Sequence, residues 1–273
     1  MPGAIRGRGG SRPVPILMYH QVSPKPTAAF AKYTVTVKAF AAQMRWLAVA
    51  RYTPLTIEAL VAAWQGQRAL PRRPVVITFD DGFRDCMEFA VPILRQHGFS
   101  AVFFLVAGLM GRTSRWMLHT SGVEFPLMDW AAARALESHG IECAAHSMTH
   151  PALADQPAAA SRAELVECRQ LLEDRLGREV RHLAYPFGSV STGVRALAAE
   201  AGYVAACTTE NGLAAEGDDR LRLPRVPVYG HDSLLDFVCR LRDGRTAREV
   251  LRRTLPPRAL SLYRTIRGRE PQP

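Results

Sequence analysis

An α/β barrel built on a parallel sheet is the fold class this sequence predicts, on three observations. Strand-like and helix-like segments alternate along the chain and meet at short joints marked by glycine. The strand segments are continuous apolar runs, the pattern of strands covered on both faces. The chain has 273 residues, 48% of them hydrophobic, and a single barrel of this kind uses about 250. No Gly-rich dinucleotide loop follows the first strand, so a closed or partly closed barrel fits better than an open nucleotide-binding sheet.

Each element has its own signal. Residues 16–20 (Ile-Leu-Met-Tyr-His) read as a short buried strand ending in polar groups. The spacing of Phe40, Met44 and Leu47 predicts a helix over 37–51. Thr56 is the expected cap of a second helix over 56–65. Residues 74–79 are β-branched, bounded by Pro and Gly, and form a strong strand. A helix over 84–97 stops at Gly98, and 101–106 is the next strand. Then come a helix over 130–139, a strand over 141–145, a long helix over 158–176, a strand over 182–185, a helix over 193–201 and a strand over 204–207. Glycines 140, 177 and 202 follow the three helices. A strand over 226–229 and a helix over 233–242 end the series. The organisation expected is a flexible basic arm (1–15), the barrel (16–243) and a basic C-terminal extension (244–273).

Composition narrows the functional classes. The five cysteines are scattered and form no CxxC pair, which argues against a zinc knuckle or a disulfide framework and for buried thiols in a reducing compartment. The longest apolar runs fall well short of the ~20 residues of a membrane-spanning helix, and no apolar core follows the basic start. The expected location is cytoplasmic, with peripheral membrane contact as a further expectation. That contact rests on the tail. The net charge is +10, and between Arg240 and Pro273 ten arginines face three acids (Asp243, Glu249 and Glu270). Leu251, Leu255, Leu262 and Ile266 recur near helical spacing, and Pro256-Pro257 divides any helix there in two. Basic amphipathic pieces suit an anionic membrane surface; a solvated basic face is the plainer reading. No nucleic-acid-binding motif accompanies the charge.

Three strand ends carry unusual residues. Thr78-Phe79-Asp80-Asp81-Gly82 closes an apolar strand with two carboxylates. Neighbours on an extended chain point different ways, so one acid can bind a hard cation while the other acts as base; two like charges this close need a compensating partner. The plain alternative is a strand-to-helix turn with an Asp cap. His146-Ser-Met-Thr-His150 follows the strand over 141–145, and the i, i+4 spacing puts both imidazoles on one face of a helical turn, within reach of one metal. Two surface histidines would look the same. Tyr185-Pro-Phe-Gly188 is a turn that can aim a backbone N–H into a pocket.

Together these three motifs, in this order, resemble the polysaccharide deacetylase family (the NodB-homology domain, or family four carbohydrate esterases), from about Pro74 to Asp232. The opening Ile-Leu-Met-Tyr-His-Gln-Val extends the likeness to Ile16. The resemblance implies a distorted (β/α) barrel with fewer than eight repeats. It implies a divalent metal, most often zinc, on Asp81, His146 and His150, with Asp80 as catalytic base and the Tyr185 N–H in an oxyanion hole. It implies removal of N-acetyl groups from the amino sugars of a glycan. Two departures from the family pattern stand out. The arginine that many members carry two residues before the motif proline is Ala184 here, and Arg225 is the expected substitute for orienting the base; a surface arginine is the other reading. The late Leu-x-His that supplies the general acid in many members is absent. His20, at a strand end, is the expected general acid, with His231 next and a core histidine as the plain reading. Trp116, His119 and Phe125 lie in a loop that can contact sugar rings. A lipid-linked or small amino-sugar substrate, and a non-catalytic carbohydrate-binding barrel, are the competing readings.

Overall fold

The computed structural model describes residues 12–254. The expectations placed on residues 1–11, and on the tail beyond Thr254, lie outside the described residues. In chain order the strands are β1 (Ile16–Tyr19), β2 (Gln21–Ser23), β3 (Thr34–Thr36), β4 (Thr53–Leu55), β5 (Pro74–Phe79), β6 (Val102–Leu105), β7 (Glu142–Ala145), β8 (His182–Ala184), β9 (Ala205–Asn211) and β10 (Leu223–Pro227). The helices are α1 (Val37–Val49), α2 (Ile57–Trp64), α3 (Val91–Gln96), α4 (Leu118–Ser121), α5 (Trp130–Ser138), α6 (Ala158–Leu176), α7 (Thr192–Glu200), α8 (Leu234–Asp243) and α9 (Ala247–Thr254).

Seven parallel strands close the barrel in the order β1-β10-β9-β8-β7-β6-β5, and β5 pairs back onto β1 from Ile16↔Val76 to Tyr19↔Phe79. The expected distorted barrel with fewer than eight repeats is therefore what the chain forms. β4 pairs with the first half of β5, and β2 and β3 make a separate parallel pair.

The period of two along each strand sorts the apolar side chains into two cores. Ile16, Val76, Phe104, Ala144, Ala184, Cys207 and Leu223 fill the barrel and meet Leu60 and Trp64 of α2, which plugs its lower end. Leu17, Ile77, Phe103, Cys143, Leu183 and Val226 face outward into the larger core under the helices. This parity carries beyond the strands. On β5 the inward position after Thr78 is Asp80, on β7 the inward position after Ala144 is His146, and on β1 the inward position after Met18 is His20. Polar groups thus gather at the upper, C-terminal end of the lumen, where such barrels place their chemistry.

The helices begin where the sequence provides caps. The side chains of Thr36, Thr56, Asp129, Ser191 and Ser233 each accept a backbone N–H of the first turn, a contact worth about 1 kcal/mol. One expectation needs revision. Residues 86–90 form a π turn before α3: the Val91 N–H reaches back to the Cys86 carbonyl, and Pro92 next to it has no N–H to give. Val14, just before the barrel's first strand, is buried and bridges to Ala214. At the other end, α9 is tied to α8 by the Ala247 N–H donating to Asp236 at 3.0 Å.

Candidate active site

The two neighbouring carboxylates at the end of β5 do part company. Asp81 adopts a left-handed backbone (φ 73°), as does Gly82 (φ 72°), and this turn sends the two side chains apart. Asp80 meets Arg225 from β10 through two parallel bonds, Nη1 to Oδ1 and Nη2 to Oδ2, each 2.6 Å. Arg225 is 0% exposed. Its remaining donors go to the Thr208 carbonyl (2.9 Å) and Thr78 Oγ1 (3.1 Å), and its plane lies over Phe104. Burial works to raise the Asp80 pKa, but the charge and hydrogen bonds of Arg225 outweigh it and hold the carboxyl below its ordinary value. Arg225 is thus no surface arginine; it lies against the acid that the sequence singles out as base.

Asp81 turns to the two histidines. Its Oδ1 lies 3.3 Å from His146 Nε2 and 3.1 Å from His150 Nε2, and the two Nε2 atoms are 3.2 Å apart. All three side chains are buried. The 146–150 segment reaches this arrangement differently from the helical turn expected. It is a bend, with Ser147 (φ 62°) and His150 (φ 68°) left-handed. Such backbone is costly for non-glycine residues and needs support. Glu164 of α6 supplies it by accepting the Met148 and Thr149 N–H groups and the Thr149 hydroxyl. The Gly108 N–H donates to the Met148 carbonyl (2.9 Å), and a Cβ at Gly108 would lie 2.7 Å from that oxygen, so only glycine fits this approach.

The donor set fits a cation. His146 Nδ1–H donates to the Ala184 carbonyl at 2.7 Å, which fixes the proton on that nitrogen and leaves the Nε2 lone pair facing Asp81. Two imidazole nitrogens and a carboxylate oxygen then converge with acceptor character on one point, the ligand set of an open zinc-type site. Burial works against the charged form of all three groups. Bonds to both histidines nevertheless hold Asp81 well below the carboxylate range; His146 is raised by its contacts with Asp81 and Asp80, and His150 is lowered by burial.

These residues open into one cavity of about 510 Å³. His20 lines it beside Asp80, Asp81, His146 and His150. The His20 ring packs on Tyr33 (4.9 Å between centroids), and its Nδ1 is buried with no hydrogen-bond partner among the described residues. Burial lowers its pKa, against the pull of Asp81 and Asp80. His231 lies elsewhere: its side chain is 68% exposed and its ring stacks on Tyr229.

Tyr185 requires a correction. Its N–H donates to the Cys207 carbonyl (3.1 Å) and its hydroxyl to the Leu221 carbonyl (3.0 Å), so the tyrosine is committed to holding β8 and β9 together and has no donor for an oxyanion. The residue of that turn that lines the cavity is Phe187, left-handed at φ 56° and 57% exposed. Trp116 lines the cavity from the loop after β6, whereas Phe125 packs inward on Phe30 and Phe83. The side chain of His119 lies outside the described residues. Tyr33, Thr209 and Tyr229 also line the cavity and carry no signal in the sequence, because loop packing alone brings them there.

A closed parallel barrel whose upper end gathers an Asp–Arg pair and an Asp–His–His cluster has clear relatives. The family model for polysaccharide deacetylase matches residues 67–206. The YxkH protein of Bacillus subtilis (strain 168), whose name places it among polysaccharide deacetylases, is 26% identical over 215 residues, 79% of this chain and 71% of that one. The poly-beta-1,6-N-acetyl-D-glucosamine N-deacetylase of Staphylococcus epidermidis is 23% identical over 198 residues, 72% of this chain and 68% of its own. Among solved structures, the Streptococcus pyogenes deacetylase PplD in complex with acetate superposes with a TM-score of 0.74 at 22% identity, covering 84% of this chain and 98% of that one. The chain belongs to the polysaccharide deacetylase family, and is a hydrolase of that family.

Proposed function

We propose that this chain removes N-acetyl groups from the amino sugars of a glycan in a metal-dependent hydrolysis, with Asp80 as base. The observation that carries the reading is the convergence of Asp81, His146 and His150 next to the Asp80–Arg225 pair in one cavity. The activity for which the Staphylococcus epidermidis relative is named supports an N-acetylated glycan as substrate.

Asp81, His146 and His150 would hold a divalent cation, zinc by the chemistry of the donors. Such an ion supplies Lewis acidity toward water and an acyl oxygen. The rest falls to the protein. Arg225 keeps Asp80 ionised and fixes the plane of its carboxylate. Asp80 takes a proton from water as the water oxygen bonds to the acetyl carbon. Phe187, which lines the cavity, would offer its backbone N–H to the oxyanion. His20 then gives a proton to the sugar nitrogen as the carbon–nitrogen bond breaks, releasing acetate and a free amine. A histidine with lowered pKa is the stronger acid once protonated, at the expense of a smaller protonated fraction at neutral pH.

The test is acetate release from a panel of N-acetylglucosamine oligomers and lipid-linked N-acetyl sugars, with and without added zinc. Acetate and free amine in equal amounts from one class of substrate support the reading. No release from any class, with metal present, refutes it.

A further inference from the structure

The two histidines of the cluster are held in different ways. The His146 ring is pinned by its hydrogen bond to the Ala184 carbonyl. The equivalent nitrogen of His150, Nδ1, is buried and has no hydrogen-bond partner among the described residues. Metal-binding histidines almost always give that second nitrogen to an acceptor, which fixes the ring and its basicity. His150 lacks this anchor, yet its ring is enclosed. Trp116 stacks on one face, 4.4 Å between centroids with planes 21° apart, and Phe187 meets it edge-on at 4.6 Å and 76°. Ser147 Oγ accepts the His150 backbone N–H, which fixes the main chain but not the ring.

We infer that Trp116 is a positioning residue that sets the His150 ring for metal binding, in place of the missing hydrogen bond. The inference rests on the metal site proposed above. The loop bearing Trp116 is fixed independently of His150. Thr113 bridges to Pro126, Phe83 bridges to Leu127, the Ser114 N–H donates to the Phe125 carbonyl, and the Phe125 N–H donates to Ser114 Oγ. These bonds hold the main chain under the indole, and the indole itself is partly buried against the core, so it presents a wall to the imidazole. Phe187 is the lesser support, because its ring is more than half exposed. Trp116 also lines the substrate cavity, so one side chain borders both the sugar space and a ligand.

The test is zinc affinity, by competition with a chromophoric chelator, together with the visible spectrum of the cobalt-substituted protein. Wild type, Trp116→Ala, Trp116→Leu and Trp116→Phe are compared, with circular dichroism to check folding. Loss of an outer support typically weakens metal binding about 10- to 100-fold. Trp116→Ala and Trp116→Leu are expected to fall in that range with an altered cobalt spectrum, and Trp116→Phe to stay near wild type. If Trp116→Ala is too unstable to measure, Trp116→Leu, which keeps an apolar side chain without the ring, decides alone. Folded variants with wild-type affinity and spectrum overturn the role of Trp116. A wild-type chain that binds no zinc overturns the metal site itself, and the inference with it.

Discussion

Arg225 reaches from β10 past β1 to the end of β5 and clamps Asp80 through two bonds of 2.6 Å, with the guanidinium wholly inside the protein. The clamp makes one residue do two things. It keeps a buried carboxylate charged, and it makes that carboxylate indispensable to the arginine.

The first prediction concerns this coupling. Arg225→Met leaves Asp80 buried without its cation, and breaking such a pair costs about 3–5 kcal/mol. The melting temperature of Arg225→Met and of Asp80→Asn should each fall by several degrees or more. The double variant Asp80→Asn/Arg225→Met should recover much of the loss, because no unpaired charge remains. The sign of the pH dependence follows from the lowered Asp80 pKa. The stabilisation is present above the unfolded carboxylate value of about 3.9 and is lost as pH falls through the lower folded value. Melting curves between pH 7 and 3 should show the gap between wild type and Arg225→Met closing at the acid end. Additive losses in the double variant would show that the two residues act separately.

The second prediction concerns the base. Asp80→Asn is close in shape but cannot accept a proton, and a general base typically contributes ~10²–10⁴-fold. Turnover should drop by that factor while zinc stoichiometry is kept, since Asp81, not Asp80, faces the histidines. Steady-state kinetics on material shown to be folded, with its lower melting point taken into account, decides this. Retention of more than about a tenth of wild-type turnover lies outside that range and removes Asp80 from the role.

The third prediction separates the two histidine candidates. His20 lines the cavity and its pKa is lowered by burial. A step needing protonated His20 slows as pH rises through a value below the ordinary ~6.5. His20→Ala should erase that limb of the kcat/KM profile and slow turnover. His231→Ala, on an exposed side chain, should leave the profile as it was. An unchanged profile in His20→Ala together with an inactive His231→Ala would reverse the assignment.

The sequence revealed those parts of the molecule that depend on local rules. The strand ends at Asp80-Asp81, His146 and Tyr185 stand out because polar residues abruptly close apolar runs, and the cap at Thr56 follows from side-chain chemistry. Arg225 could be reached only by asking what compensates a buried carboxylate, since the pairing spans 145 residues of chain. The i, i+4 spacing at 146–150 has the period of a helix, whereas the left-handed residues that make it a bend depend on Glu164 and Gly108, which are remote in sequence. The Tyr185 N–H differs from its expectation for a similar reason. A turn motif shows that an N–H can be exposed, but only the packing of β8 against β9 decides which N–H remains free. Tyr33 and Tyr229 reach the cavity through loop paths that no local pattern encodes.

Hydrolysis, on the proposed reading, depends on a cation held by Asp81, His146 and His150. Zinc content and acetate release, measured on the same samples of wild type and His146→Ala, test it most directly. Wild type should bind one zinc per chain, lose acetate release when the metal is stripped by a chelator, and regain it on zinc addition. His146→Ala should bind less than stoichiometric zinc and release almost no acetate. Equal zinc content in the two proteins, or full acetate release from stripped wild type, would contradict the claim.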